Sequence, residues 1–281
     1  MFFKFLCFDI KNGILRPWKK LLLAGSMLIL FFLFHFLLVY DGNQSLDAQG
    51  EAGITFTAGD LIASVLAGMA PFDPASNEVF LFPGIWLLFF LFLCFAVLLY
   101  PVENLNGIGQ TMLMLSQKRW IWWLSKCGWC ALFVLIYFAG FYFLAVLFSL
   151  LSGGELTLNI SEYLPGILGG RGEFRNPPWH MIPFLIAAPV TTYSLVLAQM
   201  TLTLWVRPIF AYLISCVYWL ASSYFLSPLL TGNYVMLVRS GVLLHDGLET
   251  LDGVLVAVVL CLFCVSIGCW RISRMDILTF E

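Results

Sequence analysis

The sequence has 281 residues, of which 61% are hydrophobic, 17% aromatic and only 11% charged, and its mean hydropathy is +0.94. A soluble domain carries about a quarter charged residues, so this chain has too little charge to cover a water-facing surface, and a lipid bilayer is its expected solvent. The net charge of −2 provides no basic excess for a nucleic-acid partner, and none is predicted.

The first twenty residues predict an interfacial amphipathic helix that precedes the membrane domain. At 100° per residue, six mostly apolar side chains share one face, namely Phe2, Phe3, Leu6, Cys7, Ile10 and Ile14. Lys4, Lys11 and Asn12 point away from that face, and Pro17 ends the helix. Residues 1–20 are therefore expected to lie along the membrane surface.

Residues 21–281 predict a single all-α transmembrane domain with six spanning helices. A helix needs about 20 residues to cross a hydrocarbon core of about 30 Å, and only helices satisfy their own backbone within such a run. Six apolar runs are long enough: 21–40, 80–100, 127–151, 181–206, 209–230 and 252–270. Arg207 and Pro208 separate the fourth and fifth runs, which predicts a tight turn at a membrane interface.

The distribution of lysine and arginine predicts that both chain ends are cytoplasmic. In that orientation 11 of the 14 basic residues lie in inside segments, whereas the outer loop 41–79 has six acidic residues and no basic one. We therefore expect a multi-pass protein of the cell membrane, in particular of a bacterial plasma membrane.

Three connecting segments keep an apolar helical spacing although they lie outside the spans. On the inside, the stretch 101–126 predicts a short helix that carries Ile108, Met112 and Leu115. On the outside, the stretch 228–252 predicts a short re-entrant helix before the sixth span. A similar stretch, 60–66, lies in the first outer loop.

Motifs for enzymes, cofactors and metals are missing from the sequence. It contains no phosphate-binding GxxxxGK[ST] loop, no GxSxG, no HExxH and no pair of adjacent glutamates on a span. The CxxC pairs at Cys127/Cys130 and Cys261/Cys264 lie in apolar runs without further ligands, which favours packing over zinc binding. No cysteine lies in a predicted outer loop, so a disulfide framework is not expected. We predict no catalytic, cofactor or metal site in this chain, and a membrane enzyme is the weakest hypothesis.

Apart from Asp252 at the very start of the sixth run, the predicted spans lack Asp and Glu, and their polar side chains are hydroxyls and amides. Carriers driven by protons or sodium commonly have acidic residues at mid-membrane, so an ion-driven carrier is disfavoured. Five of the polar residues are candidates to line a cargo path: Thr191, Thr192, Gln199, Ser222 and Ser223. Helix–helix packing is the alternative role for the same side chains.

The pattern resembles the transmembrane subunit of ATP-binding-cassette exporters of the type-2 permease family. The resemblance covers most of the chain as topology: an interfacial helix before the first span, a cytoplasmic helix between the second and third spans, and short outer loops. Segments that also look like the family are Glu103–Arg119, 118–126, Gly232–Ser240 and Arg271–Leu278.

The resemblance implies that Glu103–Arg119 is the coupling helix, which docks on the ATPase. The contact residues that it implies are Glu103, Ile108, Gln110, Met112, Leu115, Gln117, Lys118 and Arg119. ATP and Mg²⁺ would then be bound by a partner nucleotide-binding subunit, and a second permease chain would complete the path within the membrane lipids. The expected cargo is a peptide, a drug-like molecule or a lipid-like molecule.

A different class of function is also consistent with the sequence. The six carboxylates of the loop 41–79 would attract a cationic ligand. The alternative is therefore a non-transporting scaffold or sensor subunit that binds a cationic membrane-active peptide through this loop.

Overall fold

The computed structural model describes residues 1–47, 57–72, 80, 82–105, 107–115, 118–162, 164 and 173–275. Helix makes up 75% of the structure, which confirms the all-α prediction. The described part also contains an antiparallel ribbon in which β1 (Asn159–Ile160) pairs with β2 (Trp179–His180).

Ten α-helices lie within the described residues. They are α1 (Phe2–Ile10), α2 (Trp18–Asp47), α3 (Ala58–Leu66), α4 (Gly84–Leu98), α5 (Tyr100–Leu105), α6 (Ile108–Leu115), α7 (Arg119–Leu151), α8 (Ile182–Leu202), α9 (Pro208–Tyr224) and α10 (Thr250–Arg274). A π-helical turn, Lys11–Leu15, follows α1, and two 3₁₀ turns, Thr231–Val235 and Leu237–Arg239, precede α10.

Four helical stretches are long and apolar enough to cross a membrane: Gly84–Leu105, Arg119–Leu151, Ile182–Leu202 and Thr250–Arg274. They correspond to the second, third, fourth and sixth predicted spans. Two shorter apolar helices, Leu21–Leu37 and Pro208–Tyr224, correspond to the first and fifth. At 1.5 Å per residue, the 17 residues of α9 measure about 25 Å, which is near the lower limit for a span.

Several helix boundaries differ from the sequence prediction, and α2, for example, runs to Asp47 rather than ending near 40. Helix α7 already begins at Arg119, so the tryptophan-rich stretch 120–126 belongs to the same helix as the apolar run. Helix α9 ends at Tyr224 rather than near 230. The physical reason is that Pro228 has no N–H to donate to the carbonyl of Tyr224 and so cannot extend the helix. The side chain of Arg239 instead binds carbonyls of the last turn of α9, as described below.

Helix α8 lies at the centre of the bundle. It packs along α10 and also contacts α4, α7 and α9. Large aromatic side chains fill the space beside it: Trp219 of α9 stacks on Phe90 of α4 with ring centroids 4.5 Å apart, and Trp86 packs edge-on against both.

Pro189 lies inside α8 and removes one hydrogen bond from the helix. Because proline has no N–H, the carbonyl of Leu185 one turn earlier loses its helical donor. The hydroxyl of Tyr142 on α7 donates to that carbonyl at 2.9 Å. A neighbouring helix thus supplies the bond that a lipid environment could not provide.

The connecting segments gather at two ends of the bundle. At one end, Lys126 of α7 contacts Asp9 of α1, and Arg119 donates to the carbonyl of Met275 at 2.9 Å. Helix α1 and Met275, the residue after α10, thus meet the start of α7, and we call this the basic end. The other end, which we call the loop end, contains α3 and the two 3₁₀ turns. There the amide of Val238 donates to the carbonyl of Ala67 at 3.1 Å.

The loop end is a folded cap. The stretch 60–66 is helical as expected and forms most of α3, whose first turn is closed by reciprocal hydrogen bonds between Thr57 and Asp60. The stretch 228–252 does not form the single short helix that was predicted. It forms two 3₁₀ turns instead. Its apolar side chains, Tyr234, Leu237, Val238 and Leu243 among them, are buried in the protein, which explains their apolar character without contact to lipid.

Close packing between α7 and α10 predicts that Gly268 is sensitive to substitution. A Cβ atom at this position would lie 2.1 Å from the indole of Trp123, so the two helices would have to separate. We expect Gly268→Ala to lower the free energy of unfolding by about 1–3 kcal/mol, as measured by thermal or denaturant unfolding in detergent.

Gly140 on α7 provides the matched control, since a Cβ atom there meets nothing within 4 Å. Gly140→Ala should be neutral or stabilising by up to about 1 kcal/mol, because alanine favours helix. Equal stability of the two variants would show that Gly268 does not set the spacing of α7 and α10.

Candidate functional site

A cavity of about 440 Å³ lies between α8, α9 and α10. Its floor is formed by the buried side chains of Leu195, Gln199 and Trp219. Its mouth is formed by exposed apolar side chains, including Leu229 (83% exposed) and Val259 (68% exposed). The volume falls within the range of about 300–1,000 Å³ that is typical of small-molecule sites.

The cavity opens sideways because α9 and α10 do not close against each other. Both helices pack on α8, but over their described lengths they scarcely contact one another. The resulting opening faces the apolar outside of the bundle, where Ile214 of α9 and Phe263 of α10 are exposed. A molecule dissolved in the bilayer could therefore reach the cavity without crossing a polar surface.

Gln199 is the polar side chain on the floor with unused hydrogen-bonding capacity. Its amide Nε2 donates to the carbonyl of Cys94 on α4 at 2.9 Å. Its Oε1 is buried and has no hydrogen-bond partner among the described residues. The reversed amide would place two acceptor oxygens against each other, so the unpaired atom is an acceptor.

The structure does not bring the other predicted cargo-path residues to this cavity. The hydroxyls of Thr191 and Thr192 donate to carbonyls one turn earlier in α8, and those of Ser222 and Ser223 do the same in α9. All four residues are fully buried. Within this chain they pack and bond to their own helices, and Gln199 alone of the five lines the cavity.

The predicted coupling segment is two short helices rather than one. Helix α5 continues the line of the α4 span and carries exposed Glu103, while α6 carries exposed Ile108 and half-buried Gln110. Lys118 is exposed just before α7, and Arg119 begins that helix. Gln117 and the side chains of Met112 and Leu115 lie outside the described part.

A buried ion pair at the basic end was missed by the sequence analysis. Asp9 of α1 and Lys126 of α7 form a salt bridge in which both side chains are almost completely buried. Asp9 also accepts hydrogen bonds from the hydroxyls of Tyr100 and Ser125, each at 2.8 Å. The ammonium group lies 4.9 Å from the ring centre of Tyr100 and 5.0 Å from that of Trp122.

A signal for this ion pair was present in the sequence. At 100° per residue, Asp9 and Gly13 fall beside Phe2 and Leu6, at the centre of the buried face of α1. The face predicted for α1 is therefore partly wrong, since Phe3 and Cys7 are exposed while Asp9 and Gly13 are buried. A carboxylate on an apolar face requires a buried cation, and Lys126 stands at the start of the third apolar run, which begins on the same side.

A second buried cation, Arg239, holds the loop end together through neutral acceptors. Its guanidinium donates to five backbone carbonyls and to one side-chain amide oxygen, those of Met69, Ala70, Ser222, Ser223, Phe225 and Asn233. Two of these carbonyls, at Ser222 and Ser223, belong to the last turn of α9, where the helix dipole is negative. Burial lowers the pKa of Arg239 to about 10, so the group stays protonated at neutral pH.

The cysteine, histidine and carboxylate side chains of the described residues do not form a metal site. All eight cysteines are free thiols, and no cluster of three or more His, Cys, Asp or Glu side chains among the described residues is arranged to hold a metal. His35 of α2 is buried, and its Nε2 has no hydrogen-bond partner in the described structure.

Four long apolar helices and a compact cap define an all-α protein embedded in a membrane. The chain belongs to the family described as "Protein of unknown function (DUF2705)", whose match covers residues 62–278. Lys126, Gln199 and Arg239 lie inside the matched region, whereas Asp9 lies outside it. Comparison with curated proteins and with solved structures gave no match.

The ion pair predicts that Asp9→Asn will strongly destabilise the basic end. The substitution leaves the buried ammonium of Lys126 without a counter-charge, which typically costs about 3–5 kcal/mol. Thermal unfolding in detergent and proteolysis of the N-terminal segment should both report the loss.

Two further variants test this assignment. In Asp9→Asn combined with Lys126→Met, much of the stability should return, because no buried charge is left unpaired. Glu103→Gln, which neutralises an exposed carboxylate at the same end, should have little effect. If the double variant were no more stable than Asp9→Asn, the coupling between the two residues would be disproved.

The loop end yields a separate prediction for Arg239→Lys. A lysine keeps the charge but cannot donate in five directions, so several buried carbonyls lose their donor. We expect a loss of about 2–3 kcal/mol in the free energy of unfolding. The control is Arg175→Lys, which alters an exposed ion pair with Glu249 whose charged atoms are 3.1 Å apart. In this variant the free energy of unfolding should fall by less than about 1 kcal/mol. Similar losses in both variants would contradict the role assigned to Arg239.

Proposed function

We propose that this chain is the membrane-spanning permease subunit of an ATP-driven transporter of the ATP-binding-cassette class, with six spans and both ends in the cytoplasm. The observation that carries the proposal is the short helical segment α5–α6 between two long apolar helices. Exposed Glu103, Ile108 and Lys118 give this segment an apolar and charged surface on which a partner protein could act.

The arrangement of the basic end supports this assignment. Helix α1 is tied through Asp9 to Tyr100 at the start of α5 and to Lys126 of α7. A force applied to α5–α6 would therefore reach α1, α5 and α7 together. The excess of Lys and Arg in segments at this end favours a cytoplasmic position for it.

The source of energy for transport is inferred from the position of the buried charges and from the motifs of the sequence. The buried charged pair lies at the basic end, where Lys126 is in the early part of α7, and not at mid-membrane. The sequence also lacks a phosphate-binding loop of the GxxxxGK[ST] type. We therefore assign ATP and Mg²⁺ to a separate nucleotide-binding subunit, and the cargo path to a pair of permease chains.

The alternative, a scaffold or sensor subunit that binds a cationic peptide, receives less support. Of the six carboxylates in the loop 41–79, that of Asp60 is buried. It accepts hydrogen bonds from the backbone of Thr57 and from the backbone and hydroxyl of Ser161, at 2.7–2.9 Å. Asp60 therefore closes the cap of α3 rather than facing a ligand. Glu51, Asp73 and Glu78 lie outside the described residues.

Charge reversal in the coupling segment tests the proposal. In Glu103→Lys combined with Lys118→Glu and Arg119→Glu, we expect recovery of a co-purified ATPase subunit to fall about tenfold, because complementary charges at the docking surface become repulsive. The measurement is affinity purification of the tagged chain from its native membranes, followed by ATP hydrolysis in reconstituted vesicles.

Glu162→Lys is the matched control, since it reverses an exposed carboxylate at the loop end. It should leave both assembly and ATP hydrolysis unchanged. Unaltered ATPase recovery and hydrolysis in the triple variant would refute the coupling role. Binding of a cationic peptide that is lost when the loop 41–79 is neutralised, with no associated ATPase, would favour the alternative.

A further inference from the structure

We propose that a second cavity, at the basic end, binds the phosphate of an anionic phospholipid between the guanidinium groups of Arg207 and Arg271. The cavity measures about 550 Å³ and lies where the end of α8, the start of α9 and the last turns of α10 meet the junction of α4 and α5. The inference concerns lipid binding and holds whether or not the chain is a transporter.

The two arginines of this cavity lack an acidic partner in the part of the chain that the structure describes. The side chain of Arg207 is exposed and makes no hydrogen bond or ion pair there. Arg271 is half-buried, and its Nε donates to the carbonyl of Leu204 at 3.3 Å, while its two terminal amino groups have no acceptor among the described residues. None of the described lining residues is acidic. A phosphate would supply the missing negative charge and accept hydrogen bonds from both guanidinium groups.

Two further N–H donors belong to residues that line this cavity. The indole of Trp205 is 45% exposed, and its ring centre lies 5.8 Å from the guanidinium carbon of Arg271. The amide of Ile209, in the first turn of α9, has no backbone acceptor among the described residues. The start of a helix also carries the positive end of its dipole, and α9 is 17 residues long. The helix start therefore adds to the positive potential of the two arginines.

The rest of the lining favours a phosphate that carries acyl chains over a free phosphate. Leu99, Val102 and Ile209 supply apolar surface inside the cavity. This surface continues outside it, because Phe95, one turn before Leu99, and Leu213, one turn after Ile209, are both exposed. A phospholipid would bury its chains against these side chains while its phosphate meets the arginines, and basic pockets between spanning helices are typical headgroup sites. Since two cations without a counter-charge repel the choline of a zwitterionic headgroup, a net anionic lipid is selected.

Native mass spectrometry of the purified, delipidated full-length chain in detergent tests the proposal. The chain is titrated with dioleoyl phosphatidylglycerol or with dioleoyl phosphatidylcholine, which has the same acyl chains and the same phosphate. We expect phosphatidylglycerol to bind roughly tenfold more tightly, because two arginines act on its net charge. Glycerol 3-phosphate, which has the phosphate without the acyl chains, should not compete at equal concentration.

Two double variants separate the cavity from the general charge of the basic end. In Arg207→Gln combined with Arg271→Gln, the preference for phosphatidylglycerol should vanish. It should persist in Arg16→Gln combined with Arg274→Gln, which removes the same charge from exposed positions that do not line this cavity. Arg274 lies instead over the ring of Trp270, 5.1 Å from its centre. An equal loss in both double variants would overturn the proposal, because the lipid would then respond only to the overall charge.

Further variants keep the test valid if Arg271→Gln folds poorly through loss of its bond to Leu204. Arg207→Gln alone changes an exposed side chain and should weaken binding of phosphatidylglycerol roughly threefold or more. Ile209→Trp fills the cavity without changing the charge and should also weaken binding, whereas Leu213→Trp, on the same exposed face one turn further along α9, should not.

Three results would contradict the proposal. The first is equal binding of the two lipids by the unaltered chain. The second is equal binding of phosphatidylglycerol by the two tryptophan variants, which would place the lipid outside the cavity. The third is competition by glycerol 3-phosphate at equal concentration, which would make a free phosphate the ligand.

Discussion

The ion pair between Asp9 and Lys126 is the contact on which the basic end of this protein depends. A lysine on a helix that enters the bilayer is costly unless a counter-charge accompanies it, and here the carboxylate comes from a helix outside the apolar runs. The hydroxyls of Tyr100 and Ser125 complete the coordination of that carboxylate. Because these residues belong to α1, α5 and α7, one buried charge fixes the relative positions of three elements.

At the loop end the buried cation Arg239 is stabilised by neutral oxygen atoms and not by a carboxylate. Arg239 distributes its charge over the carbonyls at the end of α9 and those of residues 69 and 70, which follow α3. Such carbonyls lack donors wherever a helix stops, so one side chain satisfies a helix terminus and a loop together. The planar guanidinium is suited to this task because its donors point in several directions. The cap is thus built around a cation, just as the basic end is built around an ion pair.

The sequence predicted the parts of the fold that follow from hydropathy along the chain. The all-α class, the apolar helices and the break before Pro208 were read from run length and from proline chemistry, and the structure confirms them. Contacts between distant segments were not predicted, because periodicity within one helix does not identify its partner. Asp9 and Lys126 are 117 positions apart, and the oxygen atoms bound by Arg239 belong to three segments: 69–70, 222–225 and Asn233. Gln199 lines the cavity, whereas Thr191 and Ser222, which are polar residues of apolar runs in the same way, bond to their own helices instead.

The separation of α9 and α10 has a mechanical consequence. Helix α9 packs on α4 and α8, while α10 packs on α7 and α8, so the two groups share α8 together with the 3₁₀ turn Thr231–Val235, which contacts all three helices. A small rotation of α9 about α8 would widen or narrow the gap without breaking contacts between α9 and α10. Such a rotation would instead be resisted at the end of α9 by Arg239, which grips the last turn of the helix. The guanidinium therefore links the position of α9 to the cap, so that a change in the packing of this helix would require these hydrogen bonds to rearrange.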